Sequence, residues 1–137
     1  MGNMDAWLVQ PERKEQPDLR RQRWQELDLW CAGQLSSADR DYLRSFQSTM
    51  KHALLDKTPV CYHGSPCSYS ERILPTTPDE ELEQALAGVR GDLLVGGHTH
   101  IQMFRLFQDR LVLNPGSVGL AMDRVSPLSD IRQAGYA

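Results

Sequence analysis

Three of the four histidines in this 137-residue chain stand where a sheet protein places its ligands. His63 follows the β-like run Thr58-Pro59-Val60-Cys61-Tyr62 and precedes Gly64. His98 and His100 follow the short apolar run Asp92-Leu93-Leu94-Val95 and the pair Gly96-Gly97. In open α/β sheets, ligands sit in the crevice beyond the carboxyl ends of the strands. Neutral imidazoles suit borderline divalent metals. In extended backbone alternate side chains share a face, so His98-x-His100 is expected to aim both rings the same way. Glycines beside them allow the backbone to approach a metal or a phosphate closely. His52 has no glycine neighbour and reads as ordinary. Cys61, His63 and Cys67 are near one another in sequence, but a structural zinc site needs a second ligand pair and none is present.

The elements that must position these histidines are legible in part. Residues 10–23 are polar, hold Pro11 and Pro17, and read as a surface loop in which Arg20, Arg21 and Arg23 are offset by Glu12, Glu15 and Asp18. From Trp24 to Gln34, the residues Trp24, Leu27, Trp30 and Cys31 form one helical stripe ending at Gly33, and core packing is expected for it. Ser36 reads as the cap of a second short helix carrying Tyr42, Leu43 and Phe46 on one side. His52–Leu55 and Thr58–Tyr62 read as strands about a turn at Asp56-Lys57. Thr77-Pro78-Asp79-Glu80 reads as a helix start, with Thr77 the cap and Leu82, Ala85 and Leu86 facing inward. Three strands then follow, Asp92–Val95, Met103–Phe107 and Leu111–Leu113, the last two joined by a hairpin at Gln108-Asp109-Arg110. Asn114-Pro115-Gly116-Ser117-Val118-Gly119 is a turn-rich loop, and Tyr136 opens what reads as another strand. The pattern is α/β with a mixed sheet.

Composition narrows the class. Hydrophobic residues make up 40% and charged residues 24%, as in an ordinary globular domain. No apolar run approaches the ~20 residues of a membrane span. The start shows no export signal pattern. A net charge of −3 offers no field to gather nucleic acid. Three cysteines with no export pattern point to reduced thiols and a cytoplasmic location.

His63-Gly64-Ser65-Pro66, Gly97-His98-Thr99-His100 and Asn114-Pro115-Gly116-Ser117, in that order, together with Gly2-Asn3-Met4-Asp5 at the start, resemble the motifs of the calcineurin-like metallophosphoesterases, especially the small bacterial and archaeal phosphodiesterases. The resemblance runs from Gly2 to about Gly119. It implies a four-layer αββα sandwich with mixed sheets and a dinuclear site for manganese, iron, zinc or nickel. It further implies that Asn3, His63 and His98 ligate one metal and His100 the other. Two such ions about 3.5–4 Å apart clamp a phosphate ester and activate a water for in-line attack. Asn114 is expected to support the site from behind or simply to close the sheet with a turn. Asp5 either supports the site or caps its own local turn.

Two departures from the family pattern stand out. No D-x-H motif exists anywhere in the sequence, and Gly91-Asp92 leads straight into a strand, so it is not the family's G-D-x-x-D. Three ligands, including the bridging carboxylate, are missing. Residues 1–137 therefore read as a single incomplete domain lacking its N-terminal metal motifs, through a misplaced start or a truncation. Met4 occupies a position where many relatives carry a proton-donating histidine, and methionine transfers no proton. The expected function is a metal-dependent phosphoesterase. The alternative is a non-catalytic remnant that binds one metal, or a partner, with an ion count of one or none. An uncovered sheet edge and face would lead the isolated chain to form homo-oligomers or to lose solubility.

Overall fold

The structure, a computed structural model, describes residues 1–54 and 56–122 and the backbone of 131–132. Leu55, Asp123, Arg124 and the expected strand at Tyr136 lie outside the described residues. The chain divides into two compact units, Met1–Gln47 and Ser48–Ala137.

The first unit is helical: α1 (Asn3–Val9), α2 (Leu19–Gly33) and α3 (Ser37–Arg44). Two observations here differ from the sequence expectation. The polar stretch 10–23 is not all loop, because α2 starts at Leu19, where the Asp18 carboxylate accepts the Arg21 amide at 2.8 Å. An Asp N-cap outweighs the local polarity, which only marks a helix face in water. The aromatic stripe of α2 is also not core: Trp24 and Trp30 are 53% and 63% exposed, and Leu27 and Tyr42 are exposed as well. Helical spacing fixes which residues share a face but does not supply a surface to cover it. α3 behaves as expected, with the Ser36 hydroxyl accepting the Asp39 amide at 3.2 Å. The Arg40 guanidinium ties the unit together by donating to the carbonyls of Leu8 (2.6 Å) and Ala32.

The second unit holds a five-stranded mixed sheet. Its strands are β1 (Thr49–Lys51), β2 (Pro59–Tyr62), β3 (Leu93–Val95), β4 (Met103–Phe107) and β5 (Arg110–Asn114), in the order β1-β2-β3-β5-β4. The three central strands β2, β3 and β5 run parallel, and β1 and β4 are antiparallel edges. The first strand lies before the expected one at His52–Leu55: His52 and Ala53 are in no strand, and Leu54 is bridged to Lys57. The hairpin between β4 and β5 turns on Gln108 and Asp109, both at positive φ, the two-residue turn that matches strand twist. A separate two-stranded ribbon pairs β6 (Ala121–Met122) with β7 (Ile131–Arg132).

One face of the sheet is covered by α4 (Asp79–Ala85). Val60, Leu94 and Val112, paired across the parallel strands, are fully buried with Leu82, Leu86, Ala85 and Ile73. The inward set expected for α4 is therefore the one observed. Its cap differs: the Thr77 hydroxyl accepts the Leu74 amide at 2.8 Å, and Pro78 occupies the cap position. Thr77 closes the turn before the helix, and Pro78 supplies no donor needing a partner there.

The opposite face is apolar too. The register aligns Met50, Cys61, Val95, Leu113 and Phe104 in one row across all five strands, and Leu93, Leu111 and Leu106 in a second. None of these eight is fully buried, and Phe104 and Leu106 are each 76% exposed. Parallel strands are normally apolar on both faces because both are covered.

The two faces respond differently to substitution. Leu94→Ala, in the covered core, is expected to cost about 2–5 kcal/mol in a denaturant titration. Phe104→Glu combined with Leu106→Glu is expected to leave the melting temperature nearly unchanged while suppressing concentration-dependent association in sedimentation velocity. A double variant that associates like the parent would remove this face as the cause.

Candidate metal and phosphate site

All three of the parallel strands deliver a motif at their carboxyl ends: His63 after β2, Gly96–His100 after β3, and Asn114–Ser117 through and beyond the end of β5. The His63 and His98 rings lie edge to face with centroids 5.2 Å apart. Backbone bonding fixes that approach, since the Gly97 amide donates to the His63 carbonyl at 2.7 Å.

His98 and His100 do not sit in extended backbone as expected. Both are left-handed, at φ 61° and 59°. Non-glycine residues held there cost of order 1–3 kcal/mol and persist only where their surroundings over-determine them. The surroundings are on view. Asn114, only 3% exposed, donates from Nδ2 to the Gly97 carbonyl (2.7 Å) and to the Thr99 hydroxyl (3.0 Å), while its Oδ1 accepts the Gly116 amide at 2.9 Å. The His100 carbonyl accepts the Met122 amide at 3.2 Å. The loop between the two histidines is thus pinned from the end of β5 and from the ribbon.

One ring nitrogen of His100 is fixed. Its Nδ1 lies 2.9 Å from the Leu120 carbonyl, which can only accept, so Nδ1 carries a proton and Nε2 is the nitrogen left outside that bond. This is the arrangement that metal-ligating histidines commonly show. His98 is biased toward its neutral form. Burial first, then the positive charges of Arg72 and His100, push it below the usual imidazole range, while a hydrogen bond with the Ser70 backbone works in the other direction.

The glycines act otherwise than expected. A Cβ on Gly64 would lie 2.6 Å from the Ser68 carbonyl oxygen and 2.8 Å from both N and O of Glu71, so Gly64 lets the following loop fold back over it. A Cβ on Gly96 would lie 2.8 Å from the Tyr62 ring. Both accommodate the protein's own atoms. Gly97 meets nothing closer than 3.6 Å. Tyr62, buried with its hydroxyl unpartnered among the described residues, has its pKa pushed up to about 12 by desolvation and remains neutral.

The remaining expected residues belong to the first unit. Asn3 is the first residue of α1. Asp5, two residues on, accepts the Gly2 amide at 2.7 Å and so caps its own helix. Two imidazoles side by side suit one borderline divalent ion. Among the described residues no group of three or more His, Cys, Asp or Glu is placed to hold a metal, and no carboxylate stands ready to bridge a pair of ions. The residues therefore fit part of a one-ion site and do not fit a two-ion centre. Arg72 is the nearby charged group that sequence reading passed over. No spacing rule marks it, because it reaches the histidines only through the folded loop.

Comparison with known structures agrees with this architecture. A metallophosphoesterase from Sphaerobacter thermophilus superposes with a TM-score of 0.63 at 21% identity, over 89% of this chain and 55% of that one. The chain shares the metallophosphoesterase fold. A hypothetical protein of Pyrococcus horikoshii superposes similarly, with a TM-score of 0.64 at 19% identity, over 87% of this chain and 50% of that one. The chain thus spans about half the length of the solved metallophosphoesterase fold it matches. No protein-family model matches the sequence, and no curated protein sequence matches it.

Loop geometry is testable apart from chemistry. Asn114→Asp removes the donor facing the Gly97 carbonyl and sets a carboxylate against it. It is expected to destabilise the unit by about 2–3 kcal/mol and to speed amide exchange at 97–100. Gly64→Ala is expected to be similarly damaging because backbone blocks the added carbon, whereas Gly97→Ala has room. Equal melting temperatures for the two alanine variants would contradict this packing.

Proposed function

We propose that residues 1–137 are the histidine-bearing portion of a metal-dependent phosphoesterase domain, a hydrolase acting on phosphodiester or phosphomonoester bonds. The observation that carries this reading is the His63–His98 pair at the carboxyl ends of adjacent parallel strands in a metallophosphoesterase fold. The half-length match to the fold's solved examples supports treating the chain as one portion of such a domain.

In this reading His63 and His98 hold a divalent ion, and His100 lies on the same loop as His98. A divalent ion there supplies Lewis-acid polarisation of a phosphate oxygen. The chain's own contribution is placement. The Asn114 network holds the loop, burial biases His98 toward the neutral form that ligates, and the Leu120 carbonyl fixes the His100 ring. Manganese is the metal to try first. A second ion would require carboxylates from outside the described residues.

One observation favours the non-catalytic alternative, a one-metal or partner-binding module: the lack of any bridging carboxylate among the described residues. The free cysteines suit a reducing, cytoplasmic setting, and no described helix is long and apolar enough to cross a membrane. The open apolar sheet face supports self-association as a homo-oligomer.

Metal content after manganese loading and gel filtration tests the proposal. About one ion per chain is expected, lost in His63→Ala and in His98→Gly, which keeps the left-handed backbone, and retained in His52→Ala. Metal content indifferent to His63 and His98 would overturn it. With metal bound, turnover of a simple phosphodiester separates the hydrolase from the binding module.

A further inference from the structure

The segment after β2 turns back on the site it leaves. The Ser65 amide donates to the Ser68 carbonyl at 2.7 Å, and the buried Ser65 hydroxyl accepts the amides of Ser68 (3.0 Å) and Cys67 (3.2 Å). Residues 68 and 71 then close over Gly64, whose missing Cβ leaves just the space that the Glu71 backbone fills. Gly64 adjoins His63, and the Ser70 backbone bonds to His98. Arg72 therefore leaves the loop beside the histidine pair, and it is exposed.

Among the described residues no carboxylate forms an ion pair with Arg72, a condition it shares with Arg20, Arg23, Arg90 and Arg110. What separates Arg72 is its place, next in sequence to the residue packed on Gly64 and close enough for its charge to act on His98. Its charge already disfavours protonation of His98. A guanidinium is permanently charged, and its planar fork matches the paired oxygens of a phosphate. A lone cation beside a metal-binding pair is repelled by the metal unless an anion lies between them.

We propose that Arg72 anchors the phosphate group of the ligand beside the His63–His98 pair. This rests on the phosphoesterase reading and deepens it by naming a residue that takes the non-bridging phosphate oxygens. The loop supports the assignment because the Ser65 turn and the close approach of Glu71 to Gly64 fix where Arg72 emerges. The guanidinium is left for a ligand.

Orthophosphate titrated calorimetrically into metal-free and manganese-loaded chain tests the proposal without recourse to turnover. Phosphate affinity is expected to fall about tenfold or more in Arg72→Ala and in Arg72→Gln, which keeps much of the stem, and less in Arg72→Lys. Melting temperature and manganese content should stay at the parent values. Phosphate affinity unchanged in Arg72→Ala overturns the proposal, as does absence of phosphate binding in both forms of the parent. Should manganese fail to bind while Arg72-dependent phosphate binding persists, the metal reading falls and the anchor stands. Should manganese bind through His63 and His98 while phosphate ignores Arg72, the anchor falls and the metal reading stands.

Discussion

The arrangement of the histidines depends on one buried amide. Asn114 ends β5 on the covered face of the sheet and spends all three of the hydrogen bonds described for it on two loops, the one bearing His98 and the one that follows Asn114 itself. A donor–acceptor group of this shape is what the position demands. A carboxylate cannot donate to the Gly97 carbonyl, and an aliphatic side chain would take this partner from the Gly97 carbonyl, the Thr99 hydroxyl and the Gly116 amide. The strain of two left-handed histidines is borne by that network. Parallel pairing of β2, β3 and β5 then brings His63 to the same edge, so one sheet topology and one side chain together define the site.

Much of this was legible from the residues. The apolar runs that became β2 to β5, the inward set of α4 and the strand-end position of the histidines all follow from short-range patterning, which parallel strands display strongly because they are buried. Position along the chain is harder to read when a single side chain decides it. Asp18 started α2 in the middle of a polar stretch, and β1 formed ahead of the run that looked more strand-like, because pairing with β2 selects the register rather than the local propensity.

The grouping of His63 with His98 was legible, and the backbone that holds them was not. His-x-His in a strand and His-x-His with both residues left-handed look identical as text, since the difference lies in hydrogen bonds from a residue many positions away. The glycines were read as room for a ligand, but Gly64 and Gly96 are room for Glu71 and for the Tyr62 ring. Arg72 was invisible for the same reason. Its place depends on a loop folding over a glycine. The aromatic stripe of α2 and the second face of the sheet carry the opposite lesson: periodicity reports that a surface is apolar and is silent on what lies against it.

The left-handed backbone at His98 and His100 also limits how this protein can change over evolutionary time. An ordinary position that loses its function drifts through many residue types at little cost. Here, β-branched and bulky replacements meet a steric penalty that asparagine, aspartate and glycine largely escape. Any lineage that gave up the imidazoles would therefore pass through a narrow gate, keeping the loop intact while exchanging imidazole for one of those three. Such a descendant would carry, at two positions, a residue that records the backbone its ancestor needed.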